Sequence, residues 1–408
     1  MVLSTRVFGA VLQMALVAVV ALLYSVEEVG LNGLLWSVAL VCRMAGTIGI
    51  DSMGMKIQAP LWQMGDDSCA RSYARRDVGV VAKLWLVVMF MCLISAIALH
   101  YAAGVSGLIV IALGVVGCSS AFQRLFVVQR QARNQPLLGQ VMESVVLPGL
   151  GIVGVVASAH WAPDLLVLSQ VAAFVIVSFC TYMSSPAFFF RVVPPVASIE
   201  WWPTLTLGLG ATLTALAARV PMFLIAGQSL AAAGAYDVAQ KIQSAGSLGT
   251  NAVSTVFMPR VTGALYQRDL LVRLAVSAAA SSLLIPVSLL LVLLVFGEHG
   301  LVELLGEDFR DAWSAAVLLL VAAVINAATS VTGNVLMFSG RERVFTAVAL
   351  AQLAIVASGA IGFGADSAAE MAIWVILGEL FRGSCMLGGF VVHLKALRVS
   401  HMSTRDQN

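Results

Sequence analysis

The stretch at residues 283–296 reads Leu-Leu-Ile-Pro-Val-Ser-Leu-Leu-Leu-Val-Leu-Leu-Val-Phe and contains no charged side chain. With the mostly apolar residues before it, it forms a segment over residues 271–296, which is long enough for a helix to cross the ~30 Å hydrocarbon layer of a bilayer. A spanning β-strand would be about ten residues long and would alternate apolar with polar side chains. Because this stretch does not alternate, it predicts a membrane-spanning helix and excludes a β-barrel.

The composition of the whole chain extends this prediction. Of the 408 residues, 60% are hydrophobic and 11% are charged, the mean hydropathy is +0.96 and the formal net charge is +2. Soluble domains carry about 25% charged residues, so a soluble domain is excluded. The six cysteines show no metal-ligand spacing, and we find no Ser/His/Asp set and no phosphate-cradling glycine loop. We therefore expect an integral membrane protein with no cofactor, no metal, no catalytic residues and no nucleic-acid partner.

Similar apolar runs recur along the chain, separated by short charged clusters. They predict twelve membrane helices, near residues 6–24, 31–55, 80–101, 105–128, 137–159, 165–187, 204–227, 234–259, 271–296, 312–337, 344–364 and 368–393. With the N-terminus in the cytoplasm, the basic residues of the short loops fall on the cytoplasmic side and Arg310 alone falls outside, as the positive-inside rule requires. We therefore predict an all-α protein of the cytoplasmic (inner) membrane, with both termini in the cytoplasm.

A stretch rich in proline and tryptophan separates the sixth and seventh predicted helices. Its members are Pro194, Pro195, Trp201, Trp202 and Pro203. Prolines end helices and tryptophans favour the headgroup region, so this stretch predicts a linker between two bundles. We predict an N-terminal six-helix bundle at residues 1–190, a linker at 191–203, a C-terminal six-helix bundle at 204–398 and a cytoplasmic tail at 399–408.

One cytoplasmic connection, residues 63–79, is long and basic. Asp66 and Asp67 would start a short helix here, because acidic side chains are favourable in the first turn. Its basic residues are Arg71, Arg75 and Arg76. The helix could lie on the anionic inner leaflet, which would make membrane lipids a partner, and a solvated connector is an equally open interpretation.

Two arginines, Arg43 and Arg219, lie inside apolar runs with no acidic residue three or four positions away. An arginine near the bilayer centre costs roughly 2.5–3.5 kcal/mol on translocon-based scales, so its retention indicates a function. Each guanidinium offers five donors in a fixed fork that suits a phosphate. We consider both as substrate-binding residues of a cationic cavity, and an ion pair with an acid on another helix is the open alternative.

Two further basic residues, Lys241 and Arg382, are weaker candidates for the same cationic cavity. Asp237 lies four residues before Lys241, and Glu379 lies three residues before Arg382. Pairs at these spacings neutralise one another on a helix surface. A structural ion pair is therefore the leading interpretation for Lys241, and the same caution applies to Arg382.

Glu143 lies about one and a half turns into the fifth predicted helix, with no basic neighbour on its own helix. A partly buried carboxylate has an increased proton affinity, as a proton- or cation-coupled carrier requires. We therefore consider Glu143 as an ion-coupling residue for H+ or Na+. A salt bridge across helices to Arg43 or Arg219 is equally open.

Several loose motifs along the chain resemble one family. They are Val29-Gly30, Gly49-Ile50-Asp51, Gly234-x-Tyr236-Asp237-x-Ala239-x-Lys241-Ile242, Met258-Pro259-Arg260, Leu265-Tyr266, Leu305-Gly306-x-x-Phe309-x-x-Ala312, Asn326-Ala327 and Leu336-x-x-Ser339-Gly340-Arg341. Their layout is similar to that of the polysaccharide (oligosaccharidyl-lipid, O-antigen type) flippases, which are relatives of the multidrug and toxin extrusion transporters.

The resemblance implies two six-helix bundles around a central cavity that opens alternately to the two sides of the membrane. The implied substrate is an undecaprenyl-diphosphate-linked oligosaccharide, moved outward during surface polysaccharide assembly, with polysaccharide polymerase machinery as a possible partner. One feature departs from the family, whose members frequently carry an acidic residue near the middle of the seventh helix. Here that region reads Ala217-Ala218-Arg219-Val220-Pro221, which puts any borrowed ion-coupling scheme in doubt.

Two other functions remain open from the sequence. A cation-coupled multidrug antiporter of the same fold would require an acidic or aromatic cavity. Here the charged residues that lie within predicted membrane helices and lack a partner on their own helix are mainly basic. A membrane polysaccharide polymerase or ligase would act on the same lipid-linked sugars. Such enzymes usually carry a large outside loop with catalytic Arg or His, and the outside loops here are short. We therefore predict a transporter and not an enzyme.

Overall fold

The computed structural model describes residues 2–103, 107–133, 135–185, 199, 201–339 and 341–405. The described residues form fourteen α-helices and no strand. The helices are α1 Val2–Leu23, α2 Val26–Ala45, α3 Ile50–Gln63, α4 Asp67–Ala103, α5 Gly107–Ala132, α6 Pro136–Val141, α7 Leu147–Trp161, α8 Leu166–Met183, α9 Trp201–Ala226, α10 Leu230–Gly263, α11 Arg268–Leu305, α12 Arg310–Phe338, α13 Glu342–Phe363 and α14 Ala368–Arg405. A π-helical turn, Met142–Val146, joins α6 to α7.

Ten helical segments in the described part of the chain are long and apolar enough to cross a membrane. In α1 the apolar stretch Phe8–Leu23 is shorter, and α10 is not among the ten. Helices satisfy all of their backbone hydrogen bonds internally, which is what a chain in hydrocarbon requires. The predicted all-α integral membrane fold is therefore confirmed, and the protein is a multi-pass membrane protein.

The chain divides into two compact units. One consists of Met1–Ser25 and Asn32–Arg219, and the other of Val26–Leu31 and Val220–Asn408. Helices α2 and α9 each contribute residues to both units. Most of the predicted linker, residues 191–198 and 200, lies outside the described residues, so the predicted domain boundaries stay a prediction.

Each unit packs as a membrane protein does, with small residues where helices meet and apolar side chains facing outward. In the first unit, Trp36 contacts Phe174 with ring centroids 4.9 Å apart. In the second, α12 buries several alanines completely, among them Ala312, Ala315 and Ala316, and such small residues let neighbouring helices approach closely. On α11 the exposed side chains are large and apolar, among them Leu284, Leu291 and Val295. Such a surface suits lipid and not water.

The predicted helix over residues 31–55 is interrupted in the structure. The left-handed conformations of Ile48 (φ 50°) and Gly49 (φ 78°) separate α2 from α3. Glycine is required at position 49 because of its positive φ. In addition, a Cβ there would collide with the carbonyl oxygen of Thr204 on α9. The prediction of one continuous helix was wrong because the turn lies within an apolar run, and hydropathy does not mark a break that is covered by protein.

The prediction of a short, separate basic helix at residues 63–79 was also wrong. These basic residues belong to the first turns of α4, a single helix of 37 residues. The Asp66 carboxylate accepts a hydrogen bond from the backbone N–H of Cys69 at 3.1 Å and so caps the start of α4. Because no proline interrupts the sequence that follows, the helix continues into the membrane span.

Candidate functional site

Arg43 and Glu143 form an ion pair between two membrane helices of the first unit. Arg43 lies in the last turn of α2, and Glu143 lies in the π-helical turn between α6 and α7. The side chains are 15% and 25% exposed. The salt bridge across helices, one of the two interpretations left open for Glu143, is thus present. The buried Nε of Arg43 has no acceptor among the described residues, so the guanidinium keeps a donor that a ligand could use.

The π-helical turn gives Glu143 its position. The backbone N–H of Leu147 donates to the carbonyl of Met142, five residues earlier, and Pro148 has no N–H to continue the α-helical pattern. On α1, Gly9 packs directly against Ser144, and a Cβ at Gly9 would collide with the Ser144 carbonyl oxygen. The turn is therefore held on one side by α1 and fixed on the other by proline. Such π-helical turns are frequent at functional sites.

Arg219 lies on α9, two residues before Pro221, and its side chain is partly buried. It takes part in an interaction within the structure. Arg43 and Arg219 both belong to the first unit, whereas Lys241 and Arg382 belong to the second. The single cationic cavity predicted for the four residues therefore stays a prediction.

Lys241 and Asp237 lie one turn apart on α10, with 3.9 Å between Nζ and Oδ1. Asp237 is completely buried, and neither of its carboxylate oxygens accepts a hydrogen bond among the described residues. The Lys241 side chain is 11% exposed. The structural ion pair that sequence spacing favoured is present, although at the long end of ion-pair distances.

Arg382 belongs to a polar network that joins three helices of the second unit. Its Nη2 donates to Glu379 Oε2 and to Asn326 Oδ1, both at 2.6 Å. The other oxygen of Glu379 accepts a hydrogen bond from Gln352 at 2.9 Å. The network connects α12, α13 and α14, so Arg382 is engaged by its own unit before any ligand arrives.

A further charged site, which the sequence analysis did not identify, lies at the break between α2 and α3. Asp51 is 4% exposed and accepts hydrogen bonds from Nε of Arg124 at 3.0 Å and from Thr47 at 2.9 Å. The indole N–H of Trp85 donates to the carbonyl of Gly46 at 3.2 Å, which satisfies a backbone acceptor near the break. This site is internally satisfied and holds α3 against α5.

Some sequence signals could have indicated the residues that were missed. Arg124 lies eight residues before the end of α5 and has no acidic residue three or four positions away on that helix, which is the pattern that singled out Arg43 and Arg219. Asn326 and Gln352 are uncharged, and only their hydrogen bonds to Arg382 and Glu379 distinguish them from packing residues.

Comparisons with known proteins show what the chain is similar to. No protein-family model and no curated protein matches the sequence. Among solved structures, the inward-facing conformation of a multidrug resistance MATE family transporter of the MOP superfamily matches with a TM-score of 0.74 at 13% identity, covering 95% of both chains. The lipid II flippase MurJ, in an inward closed conformation, matches with a TM-score of 0.70 at 13% identity, covering 97% of this chain and 89% of MurJ.

A third similar structure is a MOP superfamily transporter from Pyrococcus furiosus, described as having a binding pocket of reverse polarity that suggests a different function. Its TM-score is 0.64 at 12% identity, covering 97% of this chain and 96% of that chain. At these identities the likeness is one of fold. The fold of the chain is similar to that of these transporters, and the likeness does not identify its substrate.

Proposed function

We propose that the protein is a flippase, which moves an undecaprenyl-diphosphate-linked oligosaccharide across the cytoplasmic membrane by alternating access for surface polysaccharide assembly. Its fold, shared with a lipid II flippase and with multidrug transporters, supports a transport function. The sequence motifs and the basic residues within the membrane helices favour the lipid-linked anion over a cationic drug.

The proposal rests mainly on the position and contacts of Arg43. It places a guanidinium in a membrane helix, pairs it with Glu143 and leaves its buried Nε without an acceptor among the described residues. A diphosphate needs several charge-assisted donors where water is scarce, and a guanidinium supplies them in a bidentate fork. In this proposal Arg43 and Arg219 bind the diphosphate. Lys241 and Arg382 make smaller contributions, because the carboxylate partner of each lies within one turn of its own helix, whereas Arg43 keeps a buried Nε without an acceptor among the described residues.

Glu143 would couple binding to an ion. When the diphosphate binds the Arg43 guanidinium, the Glu143 carboxylate loses its partner. An uncompensated charge is costly in such a partly buried site. Uptake of H+ or Na+ would then compensate Glu143. Coupling at this position would also fit a chain that has arginine, and no acid, in the middle of its seventh span.

The experiment is a leaflet-exchange assay with the full chain reconstituted in vesicles, using a diphosphate-linked sugar and a neutral-lipid-linked sugar. We expect Arg43→Ala and Arg219→Ala to lower transport of the diphosphate-linked sugar at least about tenfold below saturation, because each lost hydrogen bond to a charged group is worth about 1.5–3 kcal/mol. Arg310→Ala is the control, since Arg310 is 56% exposed and lies outside the proposed site. Equal transport by the parent and both variants would remove the anion-binding role.

The same vesicles distinguish the drug antiporter. Exchange of an organic cation against H+ or Na+, lost in Glu143→Gln, with no movement of the diphosphate-linked sugar, would establish that function instead. Glu143→Gln in a flippase should keep the protein folded and abolish the dependence of sugar transport on the ion gradient.

A further inference from the structure

A cationic group of side chains lies at the turn between α3 and α4, separate from the charged residues described above. Trp62, in the last turn of α3, has the guanidinium of Arg133 at 5.1 Å and that of Arg71 at 5.9 Å from its ring centroid. Arg133 follows the end of α5, and Arg71 lies in the second turn of α4. Three helices of the first unit thus bring two positive charges to one indole ring. We call these three residues the Trp62 cluster.

The acidic residues next to the Trp62 cluster are already engaged. Asp67 pairs with Arg71 at 3.2 Å, and Asp66 accepts hydrogen bonds from Ser68 and from the start of α4. Within the described residues, Arg133 forms no ion pair, and its guanidinium lies over the Trp62 ring. The cluster therefore carries positive charge that its own acids do not compensate.

The indole of Trp62 adds a directed donor. Its Nε1 is buried and has no acceptor among the described residues, and a buried donor left unsatisfied costs about 1–3 kcal/mol. Two guanidinium groups and an indole N–H form a set that donates hydrogen bonds and accepts none. The chemistry that satisfies such a set is an oxyanion with several acceptor oxygens, such as a phosphate.

The surroundings of the cluster indicate where that phosphate comes from. Met64, two residues after Trp62 in the same turn, is 72% exposed. An exposed apolar side chain beside arginines and a tryptophan is typical of a surface that meets the headgroup region of a bilayer. The positive-inside rule also puts this turn on the cytoplasmic side, where anionic lipids attract basic residues.

We propose that the Trp62 cluster binds the headgroup phosphate of an anionic phospholipid in the adjacent leaflet. Arg133 supplies the bidentate contact, Trp62 supplies the N–H donor and the stacking surface for both guanidinium groups, and Arg71 adds the second charge. Met64 inserts among the upper acyl-chain carbons. The site is independent of the proposed transport substrate.

The test is native mass spectrometry of the purified full chain, titrated with phosphatidylglycerol or phosphatidylcholine in mixed micelles. We expect the parent to retain phosphatidylglycerol in preference to phosphatidylcholine, and Arg133→Gln to lower that retention about tenfold or more. Trp62→Leu should lower it about threefold, since it removes the stacking surface and one donor. Arg273→Gln is the matched control, because Arg273 is an exposed arginine on the same predicted side and should leave retention unchanged.

Several results would overturn the proposal. One is equal loss in Arg133→Gln and Arg273→Gln, and another is equal retention of the two lipids by the parent. A third is binding of inorganic phosphate, in micelles without anionic lipid, that depends on Arg133 as strongly as lipid retention does, because the ligand would then be a soluble anion. If Arg133→Gln does not stay monodisperse, Arg133→Lys keeps the charge and removes the planar fork. It should lose part of the retention, and parent-like retention in both Arg133→Lys and Trp62→Leu would also refute the site.

Discussion

The ion pair between Arg43 and Glu143 can be tested for its energy before any substrate is known. Arg43→Ala leaves a carboxylate in a membrane helix with its cation removed, and Glu143→Ala leaves a guanidinium in the same position. Removing one partner of a fully buried pair costs about 3–5 kcal/mol. Because the two side chains are 15% and 25% exposed, some solvation remains, and we expect each single change to lower the free energy of unfolding by about 1–3 kcal/mol.

The double variant Arg43→Ala with Glu143→Ala should be less destabilised than the sum of the single changes, because no uncompensated charge remains. We expect an interaction energy of about 1–2 kcal/mol from the double-mutant cycle. The assay is reversible unfolding of the purified full chain in mixed micelles, followed by circular dichroism as the denaturing detergent is increased. Arg310 and Glu298 provide the control cycle, since their pair, at 3.1 Å, is 56% and 38% exposed, and should give about 0–0.5 kcal/mol.

Additive single changes at Arg43 and Glu143, within about 0.5 kcal/mol, would refute the reasoning. They would mean that the two charges are compensated separately, by water or by other groups. The proposal that a diphosphate competes with Glu143 for Arg43 would then lose its structural basis.

Three further predictions concern stability and use the same unfolding assay. Arg124→Gln should destabilise the chain by about 1–3 kcal/mol because it leaves the buried Asp51 carboxylate without its cation, and restoration by the second change Asp51→Asn would verify the pair, whereas no restoration would contradict it. Gly49→Ala should lower the free energy of unfolding by about 1–3 kcal/mol, because of the positive φ and the collision with a backbone carbonyl. Gly149→Ala, at an open helical position, should not lower it. Equal stability of the two variants would contradict this explanation of the helix break. Asn326→Leu should cost about 1 kcal/mol by removing an acceptor of the network in the second unit, and unchanged stability would show that this hydrogen bond contributes nothing.

Much of the fold follows from the sequence because hydropathy and helix length are local properties. The apolar run over residues 312–337 predicts α12, whose bounds differ from it by two residues at one end and one at the other. The helix break at Ile48 and Gly49 was not predictable in this way. It is made possible by covering contacts from α9 and by the indole of Trp85, and both come from residues far away in the chain.

The charged residues show the same distinction between local and long-range contacts. The Asp237–Lys241 and Glu379–Arg382 pairs lie within one helix turn, so spacing alone predicted them. Arg43 and Glu143 lie a hundred residues apart in the chain, and a single sequence does not show whether two such residues are in contact. The Trp62 cluster also depends on three helices whose packing only the structure gives.

We propose that arginines within the membrane helices bind the diphosphate of a lipid-linked sugar. The most direct measurement is the ratio of initial flipping rates for diphosphate-linked and neutral-lipid-linked sugar, compared between the parent protein and Arg43→Ala in the same vesicles. We expect a ratio far above one for the parent and a ratio at least about tenfold lower for the variant. An unchanged ratio in a folded Arg43→Ala protein would contradict it.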